Sequence, residues 1–122
     1  MNRSEGIAVL LCAQLVLVSA CASMHETFVQ SINSLVSSKR TIELEGYNPK
    51  YPNGFYFADE HYLVSREQRP GGLWVYHYAR PMLTGRITCH YYLLVNPETR
   101  IVVGYGFDRE LGDPEKTCRI AA

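Results

Sequence analysis

The chain contains no Gly-x-Ser-x-Gly, no His-Glu-x-x-His and no glycine-rich phosphate loop. The commonest nucleophilic, zinc-hydrolase and nucleotide chemistries therefore have no local signature in it. Neither sign of charge is in excess, because 12 basic residues balance 12 acidic ones. Neutrality argues against nucleic acid as a partner, since phosphate binding needs a basic face. It also offers no polybasic segment for a membrane surface. Cys-x-x-Cys is missing, and with it the usual opening of a structural zinc site. Internal repeats and low-complexity tracts are absent. From these absences we expect no cofactor, no metal and no enzymatic activity.

What is present begins at the N-terminus. Arg3 precedes a nearly unbroken apolar stretch from Ile7 to Val18, interrupted by Gln14. That stretch is shorter than the roughly 20 apolar residues a membrane-spanning helix needs. A charged start, a short apolar core and a small-residue cleavage site describe a secretory signal. The closing residues Val18-Ser19-Ala20-Cys21 resemble a bacterial lipobox. In such signals the chain is cut before the cysteine, whose thiol and new amine are then acylated. The resemblance implies lipidation at Cys21, a signal peptide over residues 1–20, and a small mature domain over residues 21–122. Several acyl chains hold a protein on a membrane stably where one does so marginally. Ala22, rather than Asp, follows the cysteine. In enteric-type bacteria this implies sorting to the outer membrane, facing the periplasm. An ordinary signal cut after Ala20 or Ala22 is the alternative, and it leaves Cys21 incidental.

Two cysteines remain in the body, Cys89 and Cys118. In an oxidising compartment an even pair reads as a disulfide. Free thiols are the alternative.

Ser23 to Arg40 reads as one helix, with Phe28, Ile32, Leu35 and Val36 at helical spacing and Thr27 or Ser23 as its cap. Thr41 to Asp59 is dense in turn residues and aromatics, which predicts an irregular segment. From His61 onward the period becomes two. Tyr62–Arg69, Leu73–Arg80, Ile87–Asn96 and Arg100–Phe107 are candidate strands of an antiparallel meander. The expected class is α+β, one N-terminal helix packed on three to four strands, with one disulfide.

If Asn96 faces Arg100 around a three-residue loop, Val95 meets Ile101, Leu93 meets Val103, Tyr91 meets Tyr105 and Cys89 meets Phe107. Placing Trp74 opposite Leu93 adds Tyr76 and Tyr78 to that face, and the helix is its natural cover. The other face then shows Val75, His77, Ala79, Thr88, His90, Tyr92, Leu94 and Val102. Such a face is usually polar when wet. Either the Tyr47 to Phe57 segment covers it, or Val75, Tyr92, Leu94 and Val102 form a partner-binding surface. In this register His77 and His90 are opposite each other, two imidazoles that lack a third ligand for a metal. Asp108, Glu110, Asp113 and Glu115 lack the glycine and final glutamate of a calcium-binding loop and read as a solvated tail.

Leu73-Trp74-Val75-Tyr76-His77-Tyr78, Tyr92-Leu93-Leu94-Val95-Asn96 and Ile101-Val102-Val103 resemble the strands of the BamE-type (SmpA/OmlA) outer-membrane lipoproteins. The resemblance spans roughly Leu73 to Phe107. It implies helical segments before a three-stranded sheet, and a role as accessory to the machinery that inserts β-barrels. That family's glycine-threonine helix motif has no counterpart around Phe28 to Ser38, and Tyr62 to Arg69 adds a strand. No partner-binding residue is therefore carried over. The expected function is a lipid-anchored, non-enzymatic envelope protein that binds another envelope protein. The alternative is a periplasmic inhibitor or immunity protein against a lysozyme or toxin hydrolase, working through Pro81 to Arg86 or Asn48 to Phe57.

Overall fold

The computed structural model describes residues 23–47, 49–50 and 55–120. Cys21 and the expected signal segment lie outside the described residues, as do Asn48 and residues 51–54.

Helix α1 spans Met24–Ser37. Its start is written in the sequence as Ser-x-x-Glu. The Ser23 hydroxyl accepts from the Glu26 amide at 3.0 Å, and the Glu26 carboxylate accepts from the Ser23 amide at 3.4 Å. The two orphan donors satisfy each other reciprocally. Phe28, Ile32 and Leu35 form the buried stripe. The helix stops three residues short of the expected Arg40, because Lys39 turns into the left-handed region at φ 55°.

The expected irregular stretch that follows contains a helix. In α2, Ile42–Gly46, Thr41 caps the Leu44 amide and Ile42 enters the core. Glu45 pairs with Arg40 at 3.0 Å. A five-residue helix is too short for periodicity to reveal.

The sheet is a four-stranded antiparallel meander, β1 (Leu63–Gln68), β2 (Trp74–Met82), β3 (Ile87–Val95) and β4 (Val102–Phe107), in that spatial order. A short helix α3, Pro114–Thr117, follows. The molecule is thus an α+β fold. α1 packs across β4 and α3 packs against β3. Cys118, just after α3, forms a disulfide with Cys89 of β3, with Cα atoms 4.6 Å apart.

The register differs from the expected one by two residues. Trp74 faces Val95, Tyr76 faces Leu93 and Tyr78 faces Tyr91. On the other side of β3, Tyr91 faces Phe107 and Leu93 faces Tyr105, but Val95 faces Val102. Val103 is the extra residue of a bulge between these pairs. The turn before β4 is longer than three residues. Asn96 accepts the Glu98 and Thr99 amides on its side chain, and Arg100 sits at φ 66°. Ile101 consequently bridges to Thr41, leaving Val95 to Val102.

Between α1 and the sheet lies the core, which includes Phe28, Ile32, Tyr78, Cys89, Tyr91, Leu93, Val95 and Val102. Phe57 and Ala58 belong to it as well. The described part of the segment before β1 therefore covers the helix side of the sheet. Arg80 is the charged residue of this region. Its guanidinium lies 4.0 Å from the Phe55 ring centroid and 4.5 Å from that of Tyr62, and it donates to the Tyr56 carbonyl. Cation–π contact on both rings pins the loop to β2.

Candidate functional site

The sheet face turned away from the helices is the candidate site. Two residues expected at its centre are not available there. Val102 is fully buried in the helix-side core, because the bulge at Val103 reverses the alternation along β4. Val75 stays on the second face, between Glu67 and Leu94 in the register, but it too has no exposed surface. Tyr92 and Leu94 are half-buried. Both lean over glycines of β4. A Cβ on Gly106 would fall 2.1 Å from the Tyr92 hydroxyl, and one on Gly104 would fall 3.1 Å from Leu94 Cδ1. These glycines leave the room the two side chains occupy, an aromatic and an aliphatic laid across bare backbone. The Arg69 guanidinium closes over the outer side of the Tyr92 ring at 5.4 Å.

Beside this packed patch stands His77. It faces Tyr92, and His90 faces Ala79, so the two histidines are diagonal rather than opposite. His77 Nδ1 lies 2.8 Å from Asp108 Oδ2, and Nε2 lies 2.9 Å from Glu67 Oε1. Glu67 belongs to the edge strand β1 and Asp108 follows β4, so one imidazole links the first strand of the sheet to the exit of the last. The Asp108 amide donates to the His90 carbonyl at 3.1 Å, which fixes that exit against β3. Ionised carboxylates only accept, so satisfying both at once requires both ring nitrogens to donate. Burial pulls the imidazole down, but the hydrogen bonds and fields of Asp108 and Glu67 outweigh it, and the net shift is upward.

A raised folded value adds stability that is whole below the ordinary imidazole range and disappears as pH climbs through the raised value. We expect the stability gap between wild type and His77→Gln to be widest near pH 5.5 and to shrink by about pH 8.5. Chemical denaturation of both proteins across that range checks this. A pH-independent gap means the clamp is not held by charge.

Ser65 is the residue facing His77 on β1. A serine, a histidine and an aspartate in this order invite comparison with a nucleophile and its base. As arranged, Nδ1 is turned to Asp108 and Nε2 to Glu67, so both ring nitrogens are engaged by carboxylates. The carboxylates lie at opposite nitrogens, so they do not converge on a common point. Among the described residues no group of three histidine, cysteine or acidic side chains is placed to hold a metal.

Next to the clamp a cavity of about 390 Å³ opens between Val64, Ala79, His90, Glu110 and Leu111. Val64 is the bulged residue of β1 and is 66% exposed, and Leu111 is 59% exposed. Sequence reasoning missed this groove. Val64 was one residue of an alternating strand and Leu111 one of a solvated tail. Only their meeting across the sheet makes a surface.

Comparison with protein-family models, curated proteins and solved structures found no match. Among the described residues no helix is long and apolar enough to cross a membrane.

Proposed function

We propose that this chain is a lipid-anchored, non-enzymatic protein of the bacterial cell envelope that binds another envelope protein. It faces the periplasm from the outer membrane, as an accessory to outer-membrane assembly. The anchor rests on the lipobox resemblance at Cys21, and the assembly role on the BamE-type strand resemblance. The observation that carries the binding reading is the asymmetry of the sheet. Helices α1 and α3 lie on one face, while the other presents a groove whose walls, Val64 and Leu111, are exposed beside a fixed imidazole–carboxylate clamp. Exposed apolar side chains next to oriented polar groups are what a protein partner buries.

A photo-crosslinking residue at Val64 or Leu111, activated in the native envelope, should capture a β-barrel assembly component or another envelope protein. Val64→Glu should weaken capture roughly tenfold, a loss of about 1.4 kcal/mol, without altering the melting temperature. Absence of products from both positions, or undiminished capture by Val64→Glu, rules the groove out as the contact surface. Capture of a secreted hydrolase identifies the inhibitor function instead. Pro81 and Met82 belong to β2, which shortens the first loop of that reading to the turn Leu83–Arg86. Its second loop falls partly outside the described residues.

A further inference from the structure

Three parts of the chain meet at one end of the molecule: the start of α1, the β2–β3 turn and α3. The Met24 carbonyl accepts from the Ile120 amide at 2.9 Å, and His25 Nδ1 lies 2.9 Å from the Cys118 carbonyl. Around a shallow depression of about 530 Å³ stand the apolar Met24, Leu83 and Ile87 and the cations Arg86, Lys116 and Arg119. Among the described residues no acidic side chain lines it. Among the described residues none of the three cations enters an ion pair, although Arg119 donates to the Glu115 carbonyl at 3.2 Å. Glu26, at the same end, is turned into the capping box. Three cations without an ion pair thus line one pole of a chain neutral overall, with Asp113 and Glu115 of the α3 segment beside them.

The turn is built unusually. Leu83 and Thr84 both take positive φ, 49° and 61°, where hairpins normally place Asn-Gly. Backbone held in such a region, in residues that resist it, marks a place where geometry serves a contact. Here it sets an exposed leucine beside an exposed arginine.

Cys21 is two residues ahead of Ser23, and two residues reach at most about 7 Å. A lipid on Cys21 would hold this pole, and no other, against the bilayer. We propose, on the strength of the lipid-anchor reading, that this pole is a seat for anionic phospholipid headgroups. Leu83 and Met24 enter the interface while Arg86, Lys116 and Arg119 pair with phosphates. The sheet then stands away from the membrane. The nine residues of β2 place Trp74 about 25–30 Å beyond the turn. The seat turns a flexible tether into an orientation.

The test uses the full chain as the cell processes it, carrying Leu83→Trp in a Trp74→Phe background. It is placed on vesicles of brominated phosphatidylethanolamine and phosphatidylglycerol, or of brominated phosphatidylcholine. Tryptophan at position 83 should be quenched on the anionic vesicles and far less on the zwitterionic ones. Replacing Arg86, Lys116 and Arg119 by glutamine should abolish the difference while the protein still floats with the vesicles. The unmodified chain, whose tryptophan is Trp74, should remain unquenched on both. Flotation without quenching at position 83 overturns the seat and leaves the anchor standing. Equal quenching on both vesicles, or quenching indifferent to the triple replacement, also overturns it. A chain that carries no acyl mass removes the anchor reading. Quenching on anionic vesicles in that same sample still supports the seat, and its absence overturns the seat as well.

Discussion

Replacing Cys89 and Cys118 together by alanine should lower stability by about 3–4 kcal/mol, the chain-entropy value for a loop of this length. The two cysteines are 29 residues apart, and both are fully buried. For a domain of this size the loss corresponds to a fall of roughly 12–30 °C in Tm. The effect should be uneven across the molecule. The chain after β4 holds a single 3-10 turn, Arg109–Leu111, and the four-residue α3. Neither is long enough to persist alone. Removing the bridge should therefore expose the segment after Phe107 to protease and amide exchange before the sheet responds. Because the Met24 carbonyl and the His25 ring both bond to this segment, the first turn of α1 should loosen with it. Thermal melts of oxidised and alanine-substituted protein, with exchange read residue by residue, check both statements. Equal melting temperatures would show that the packing of Pro114 suffices without the bond.

What could be read in the sequence divides along a physical line. Features with a local cause were legible. Ser23 and Glu26 are three residues apart and cap a helix whose buried stripe recurs every three to four residues. Alternation defined all four strands, because side chains of a strand must point to opposite faces. The cysteine pair needed only a compartment and a count. Register was not legible, because a period of two specifies parity and nothing more. The expected pairing of β2 with β3 was displaced by two residues, an even number, so Tyr76, Tyr78, Tyr91 and Leu93 still fell on the helix side. A bulge is an odd displacement. Val103 in β4 therefore exchanged the expected places of Val102 and itself, sending Val102 inward and leaving Val103 46% exposed. The bulge followed from a turn set by Asn96 and Arg100, whose left-handed backbone no propensity favours strongly.

The candidate site shows the same division more sharply. His77 was visible as a strand histidine, but Asp108 lies 31 residues away and Glu67 lies 10 residues away. The one comes to it around two strands and the other across a hairpin. Gly104 and Gly106 carry no side chain for an alternating pattern to register. Their role emerges when Tyr92 and Leu94 are seen to fill the space above them. The partner surface expected around Tyr92 is thus largely consumed by packing within the sheet. The exposed groove lies toward Val64 and Leu111, two residues that periodicity had no reason to join.

Phe28→Ala should cost about 3–5 kcal/mol, the range for emptying a buried aromatic site. Phe28 is fully buried, with ring centroids 5.2 Å from Phe57, 5.7 Å from Tyr91 and 5.9 Å from Phe107. It is the point at which α1, the segment before β1, β3 and β4 all touch. The Tyr91 hydroxyl donates to the Phe57 carbonyl, so the ring Phe28 leans on is itself tied to the loop. Burial pushes the Tyr91 phenol up, and Arg80 beside it reverses only part of that, which keeps the donor proton in place. Because Phe28 and Phe57 border the same space, their truncations should not add. The second alanine enlarges a cavity the first has already opened and loses contacts the first has already forfeited. We expect the double variant to be less destabilised than the sum of the singles by about 0.5–3 kcal/mol. Gln30→Ala, on the exposed side of the same helix, should stay within about 0.5 kcal/mol of wild type. Urea denaturation of the four variants measures these differences directly. Strict additivity of Phe28→Ala and Phe57→Ala would mean that the loop rests on Arg80 and Tyr91 alone, and that α1 and the loop cover the sheet as two independent lids.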